Sequence, residues 1–144
     1  MTYSQVRKSV VGLLRGDNSK SEELLTSDDT YLAMALRDVM LRCIPSQLVA
    51  PYDDTKTDIF RRIYSTYNDI DEVYNHWYIR NAVVSIEDDA VIDIDEELTQ
   101  AIIYYMCSYL TNKKNIDYAK NAQDIISYYN SNSVDLSQYE WNRN

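Results

Sequence analysis

Acidic side chains are the most frequent candidates for chemistry in this sequence of 144 residues, in which 23 Asp and Glu outnumber 14 Lys and Arg. In the stretch DAVIDIDEEL, Asp93, Asp95 and Glu97 alternate as the oxygen ligands of a calcium loop do. Such a loop requires glycine at its sixth position and glutamate at its twelfth, where this chain has Leu98 and Tyr104. We therefore interpret these acids as the capping and first-turn charges of a helix, and we expect no metal site.

A cysteine nucleophile with a histidine base is the second candidate, because the chain has one histidine, His76, and two cysteines, Cys43 and Cys107. A thiol hydrolase requires a lowered thiol pKa beside the base, and a linear sequence cannot place the two groups together. Both cysteines lie in apolar helical stripes, where a thiol usually acts as a small hydrophobe. The sequence thus favours buried thiols and a surface histidine. It predicts a protein without enzyme activity, catalytic residues or cofactor, and a hydrolase stays as an alternative.

Arginines are the third candidate. Arg61 and Arg62 are adjacent, and Arg80 lies in the opposing arm of a predicted hairpin. They could bind phosphate or carboxylate groups, or they could be solvated on a strand edge, where cations discourage unwanted pairing. In a chain of net charge −9, a basic patch could also meet an acidic patch of an identical subunit. That possibility predicts a head-to-tail interface.

The composition limits the classes of function. The net charge of −9 argues against a surface that neutralises phosphates, and two glycines leave no room for a glycine-rich phosphate loop. Hydrophobic residues make up 45% of the chain, as in a globular domain, and two cysteines form no disulfide framework. No apolar run is long enough for a membrane span. The 14 tyrosines suit half-buried positions and interfaces, although a compositional bias of the source would explain them equally well.

Helical periodicity predicts the elements that must position these residues. The first helix is Tyr3–Arg15, with a capping box from Thr2 and Gln5 and a stop at Gly16. The second predicted helix is Asp28–Arg42, with Thr26 or Ser27 as its cap. The third is capped by Asp93 or Asp95 and runs to Leu110, with Lys113 and Lys114 beyond its end. The last is Ile116–Tyr129. Residues 45–58 between them contain both prolines and are predicted to be a loop.

The helix that ends at Leu110 is apolar on more than one side. Its main stripe runs from Leu98 to Leu110, and Ile103, Tyr104 and Cys107 lie off that stripe. A helix of this kind is central in its domain, or it faces a core on one side and a partner on the other. The sequence leaves both possibilities open.

Residues 59–80 are predicted to form an antiparallel hairpin around an NDID turn. Aromatic and β-branched residues dominate both arms, as is typical of strands. Ile59, Ile63 and Tyr67 also match helical spacing, so a helix is the alternative.

These elements predict a mainly α fold: a small antiparallel bundle of about four helices, with a projecting β-hairpin or long loop between the second and third main helices. Residues 1–130 would form a single domain. Residues 131–144 would form a C-terminal interaction arm, because this polar segment carries the apolar residues Val134, Leu136, Tyr139 and Trp141.

Several features occur in order along the chain: two N-terminal helices, the segment IFRRI, the segment HWYIRNAVVSIEDDAVIDIDEELTQAIIYYMCSYL and a closing helix that ends in YYNSN. With these features, from about Thr2 to Asn132, the sequence resembles the head–tail connector (adaptor) proteins of tailed bacteriophages. It departs from the commoner pattern at Asn81 and Ala82, because a proline often follows the arginine of the arm in that family.

The resemblance implies a homo-oligomeric ring, usually twelvefold, that joins the portal to the tail of a virion and assembles in the cytoplasm of an infected bacterium. DNA would pass through its lumen without sequence-specific binding, along an acidic wall. The implied partners are copies of the chain itself, the portal protein and tail or tail-adaptor proteins, without a membrane, a cofactor or enzyme activity.

Under this interpretation, aromatic and arginine side chains of the hairpin are the expected subunit or portal contacts, since these types are enriched at interface hot spots. They are Phe60, Arg61, Arg62, Tyr64, Tyr74, Trp77, Tyr78 and Arg80. The apolar residues of the C-terminal arm are expected to bind an adjoining protein. The alternative is a small acidic regulatory protein that mimics DNA and inhibits a nuclease or repressor, although the acids cluster at turns and caps instead of forming one surface.

Overall fold

The computed structural model describes residues 1–14, 21–111 and 116–132. Within these ranges the chain forms five α-helices and a three-stranded antiparallel sheet. In chain order they are α1 (Tyr3–Leu14), α2 (Ser21–Ser27), α3 (Thr30–Arg42), β1 (Val49–Pro51), β2 (Ile59–Asn68), β3 (Val73–Arg80), α4 (Thr99–Leu110) and α5 (Ile116–Asn132). The mainly helical class is therefore combined with a sheet, and the antiparallel bundle stays a prediction.

Helix α1 begins as the sequence predicts. The backbone N–H of Thr2 donates to Gln5 Oε1 at 2.9 Å, and the N–H of Gln5 donates to Thr2 Oγ1 at 3.3 Å, which is the reciprocal capping box. Val6, Val10 and Leu14 are buried on one face. The predicted end at Arg15 and the stop at Gly16 lie outside the described residues.

Helix α2 is absent from our prediction, in which the second helix begins only at Asp28. Leu25 is fully buried in it, and the hydroxyl of the buried Tyr3 donates to its carbonyl oxygen at 2.5 Å. The prediction that Thr26 or Ser27 caps the next helix is wrong, because their hydroxyls donate to carbonyl oxygens inside α2. The carboxylate of Asp28 instead accepts from the N–H of Thr30, in the first turn of α3, at 2.8 Å.

Helix α4 lies at the centre of the helical part and packs against α1, α3 and α5. Residues off its main stripe are buried as completely as those on it: Ile103 and Cys107 are both 0% exposed. Of the two possibilities that the sequence leaves open, the central position is therefore confirmed. No helix in the described ranges is long and apolar enough to cross a membrane.

The sheet has the strand order β1-β3-β2, with β3 in the middle. The predicted hairpin is confirmed, with Tyr67 opposite Tyr74 and Asn68 opposite Val73, and the helical alternative for its first arm is wrong. The register shifts between Ile59 and Arg61, and again between Arg62 and Ser65. Strand β1 was predicted to be part of a loop, because its three residues end in Pro51. Its identity as a strand comes from pairing with β3 and is not visible locally.

Candidate interaction surface of the hairpin

The base of the hairpin is fastened to the end of α3 by Arg61. Its guanidinium donates to the carbonyl oxygen of Cys43 at 2.9 Å and to that of Met40 at 3.3 Å. The last carbonyl groups of a helix lack intrahelical donors, and a cation is favoured at that end by the helix dipole. Arg61 therefore joins the hairpin to the helical part.

A second attachment is the ion pair between Arg80 and Asp93. The guanidinium donates to both carboxylate oxygens, at 2.6 and 2.9 Å. Asp93 also accepts from the N–H of Val83 at 2.8 Å and from the side chain of Gln47 at 3.1 Å. The Arg80 hydrogen bonds lower the pKa of Asp93 to about 2. The prediction that Asp93 caps a helix is therefore wrong, since its carboxylate fixes the segment after β3.

Asp95 has a comparable role nearby. It accepts from the Ser46 hydroxyl at 2.5 Å, from the N–H of Gln47 at 2.9 Å and from the hydroxyl of Tyr129 at 2.8 Å. Asp95 does precede the short 3-10 turn Glu96–Leu98, but its side chain makes no capping bond there. Burial raises the pKa of Tyr129 to about 12, so this hydroxyl stays a donor at neutral pH. The network ties α5 to the segment before β1.

The remaining base residues also contact the rest of the chain. Tyr78 is buried, and its hydroxyl donates to Asp58 at 2.7 Å. Phe60 packs, partly buried, against the core. Phe60, Arg61, Tyr78 and Arg80, all predicted to form an interface, thus hold the base of the hairpin to its own chain, and their role toward another molecule stays a prediction.

The middle of the hairpin presents a shallow cavity of about 200 Å³ lined in part by Tyr52, Arg62, Tyr64, Ser65, His76 and Trp77. The guanidinium carbon of Arg62 lies 4.2 Å from the ring centre of Tyr52 and the group donates to the Tyr52 hydroxyl. The rings of Tyr64 and Trp77 are 6.3 Å apart, and the hydroxyl of Ser65 lies 2.6 Å from His76 Nδ1. The structure therefore groups Arg62, Tyr64 and Trp77 but separates them from Arg61 and Arg80, so the three arginines form no single basic patch.

The far end of the hairpin is largely solvent exposed. Ile70 is 86% exposed, Tyr74 is 64% and Val73 is 48%. The turn is held by the side chain of Asn68, which accepts from the N–H groups of Ile70 and Asp71 at 2.9 and 3.2 Å and donates to the Asp71 carboxylate at 3.0 Å. Apolar side chains at the end of an ordered hairpin are typical of a contact with another molecule.

The cysteines have no such accessible setting. Both are buried, and burial raises the pKa of each thiol to about 12. An activated thiol needs the opposite shift, so the geometry gives no support to the hydrolase alternative. Across residues 1–14, 21–111 and 116–132, no group of three or more His, Cys, Asp and Glu side chains is placed to hold a metal ion.

Sequence reasoning did not assign Tyr52, Ser65, Ile70, Val73 or His76 to this surface. Tyr52 lies in a predicted loop, and Ile70 stands alone among acids in the turn, where an isolated apolar residue is a usable signal. Val134, Leu136, Tyr139 and Trp141 lie outside the described residues. Comparison with protein-family models, with curated proteins and with solved structures gave no match.

Proposed function

We propose that this chain is a structural virion protein, a head–tail connector that forms a homo-oligomeric ring between the portal and the tail. The observation that carries the proposal is the hairpin, which is bonded to the helices at its base and exposes Ile70, Val73 and Tyr74 at its far end. An anchored element with an apolar end is suited to a subunit contact, because such a contact would remove those side chains from water.

The helical part suits a ring subunit, in which one surface must stay fixed relative to another. Helix α4 is central among α1, α3 and α5, and the ion pair of Arg80 with Asp93 joins β3 to the segment before α4. The finer arrangement that we propose is an antiparallel bundle carrying a projecting hairpin.

The charge of the chain supports passage of DNA through such a ring. With a net charge of −9, twelve copies would surround the lumen with excess negative charge. Exposed acids such as Glu87 and Asp89 would repel phosphates, so DNA would slide without binding.

Within the proposal, Arg62, Tyr64, Tyr74 and Trp77 form the contact with a neighbouring subunit or the portal. Phe60, Arg61, Tyr78 and Arg80 contribute to it by holding the hairpin in place. The C-terminal arm, with Val134, Leu136, Tyr139 and Trp141, would bind an adjoining tail protein.

Native mass spectrometry of the full chain, alone and mixed with whatever portal-like ring is encoded beside it, tests the proposal. The expected result is a closed ring, about 200 kDa for twelve copies of the 16.9 kDa chain, or stoichiometric decoration of the portal. A chain that forms neither species overturns it.

Two variants make the assignment specific. Ile70→Asp places a charge at the exposed end of the hairpin and should abolish assembly. Val91→Asp is the matched control, because Val91 is similarly exposed, at 70%, but lies outside the hairpin. Equal loss of assembly in both variants would contradict a contact made through the hairpin.

A further inference from the structure

The cavity in the middle of the hairpin is lined by an arginine, Arg62, that has no acidic partner among the described residues. Arg62 stacks on Tyr52, but within residues 1–14, 21–111 and 116–132 its guanidinium is in no ion pair. The aromatic pair of Tyr64 and Trp77 supplies the apolar wall of the same cavity. A ligand for this cavity should therefore combine a small apolar group with negative charge.

The tip of the hairpin, residues 69–72, has that combination. Ile70 is 86% exposed and is flanked by Asp69, Asp71 and Glu72, which are in no ion pair among the described residues. The hydrogen bonds that the N–H groups of Ile70 and Asp71 donate to the Asn68 side chain hold the tip in one conformation before any contact is made. Little conformational entropy would be lost on docking, which favours recognition of this loop.

The tip cannot reach the cavity of its own hairpin. Arg62 and Asn68 lie on the same strand, β2, and are separated by roughly 20 Å at 3.3 Å per residue. An antiparallel pair of strands is too stiff to fold back on itself over that distance. Any contact between the two surfaces must therefore join two molecules.

We propose that the tip of one copy docks in the cavity of the next copy, with Ile70 against Tyr64 and Trp77 and the acids of the tip facing Arg62. The two surfaces are different, so the contact is heterologous, and its repetition generates a closed ring when the rotation between neighbours closes. This inference rests on the self-assembly in the proposed function, and it names the residues that join adjacent subunits.

Complementary charge reversal tests the contact in the full chain. One variant reverses the tip, Asp69→Lys with Glu72→Lys, and the other reverses the cavity, Arg62→Glu. In each variant alone, like charges then face one another at every contact between copies. Each variant should therefore associate at least about tenfold more weakly than the unmodified chain.

The 1:1 mixture of the two variants distinguishes this contact from others. Each copy then finds a complementary surface only on the other variant, so assembly should return with alternating composition. Native mass spectrometry reads this directly when one variant carries a heavy-isotope label. Circular dichroism and thermal melting confirm that both variants fold, and Asp89→Lys is a control for added positive charge outside the hairpin.

Two results would overturn the inference. If the single variants assemble as the unmodified chain does, the ring forms through another surface, and the connector proposal stands. If the mixture of variants stays dissociated, or if the unmodified chain never self-associates, tip and cavity do not pair. Binding to the portal in that last case would still support the connector function.

Discussion

The base of the hairpin and the part beyond it use the same residue types and yet differ in what surrounds them. Adjacent Arg61 and Arg62 illustrate the difference: Arg61 donates to two carbonyl oxygens at the end of α3, whereas Arg62 lies exposed on Tyr52. Tyr78 is buried at the base, and Tyr74, on the same strand, is 64% exposed. Position relative to the helices, not residue type, therefore decides which side chains stabilise the fold and which remain available for contacts.

The largest expected difference in stability is between alanine variants of two isoleucines, one buried and one exposed. Ile103 is 0% exposed inside α4, and its replacement by alanine should lower the free energy of unfolding by roughly 3–4 kcal/mol, because it leaves a cavity. Ile70→Ala at the exposed tip should change it by less than about 0.5 kcal/mol. Urea denaturation of both variants measures the contrast. Equal losses would show that the tip packs within its own chain.

The next largest effect is expected at the attachment of the base. Asp93→Ala leaves the guanidinium of Arg80 and the N–H of Val83 without their acceptor, so stability should fall by roughly 2–3 kcal/mol. Asp89→Ala, an exposed acid in the same segment, is the control and should have little effect. Hydrogen exchange in β3 should rise only in the first variant; unchanged exchange there would contradict the role of the ion pair.

The same carboxylate predicts a dependence on pH. Its pKa is lowered from 3.8 to about 2 in the folded chain, so it contributes about 2 kcal/mol of stability above pH ~4. That contribution is lost as the pH falls toward 2, where the folded carboxylate becomes protonated. Between these pH values, the free energy of unfolding from urea denaturation should fall more steeply with decreasing pH for the unmodified chain than for Asp93→Asn. If the free energy of unfolding depends on pH equally in both chains, Asp93 is not the group responsible for the dependence.

The smallest effect is expected at the turn. Glu72 has φ 56° in the left-handed region, which strains a residue with a branched or long side chain. Glu72→Asn should stabilise the hairpin by about 0.5 kcal/mol, because asparagine tolerates this conformation. Amide exchange at Asn68 and Val73 is the sensitive measurement. Faster exchange in the variant would mean that the glutamate has an unrecognised stabilising contact.

Much of the fold was predictable where the signal is local. The capping box of Thr2 and Gln5 and the stripe of α1 depend on neighbours within a few residues. The aromatic and β-branched residues of β2 and β3 favoured the hairpin over a helix, and the strand pairing confirms it. Strand β1 was missed, because a strand of three residues acquires its identity only by pairing with β3.

The acids before α4 show the limit of local reasoning most clearly. Asp93 and Asp95 have the spacing of capping residues, but their carboxylates bind Arg80, Ser46 and Tyr129 instead. Those partners lie 13, 49 and 34 positions away along the chain. A local pattern cannot show that a distant donor will satisfy a carboxylate better than the nearby backbone does.

By itself the sequence determined the acidic character, the positions of the main helices and the hairpin. A central position for α4 was one of the two possibilities that it left open. Periodicity and charge are properties of neighbouring residues, so they can be read directly. Only the tertiary structure decided that Arg61 and Arg80 serve the base while Arg62, Ile70 and Tyr74 stay exposed. The physical reason is that burial and ion pairing depend on which distant segments meet, and the folded chain alone brings them together.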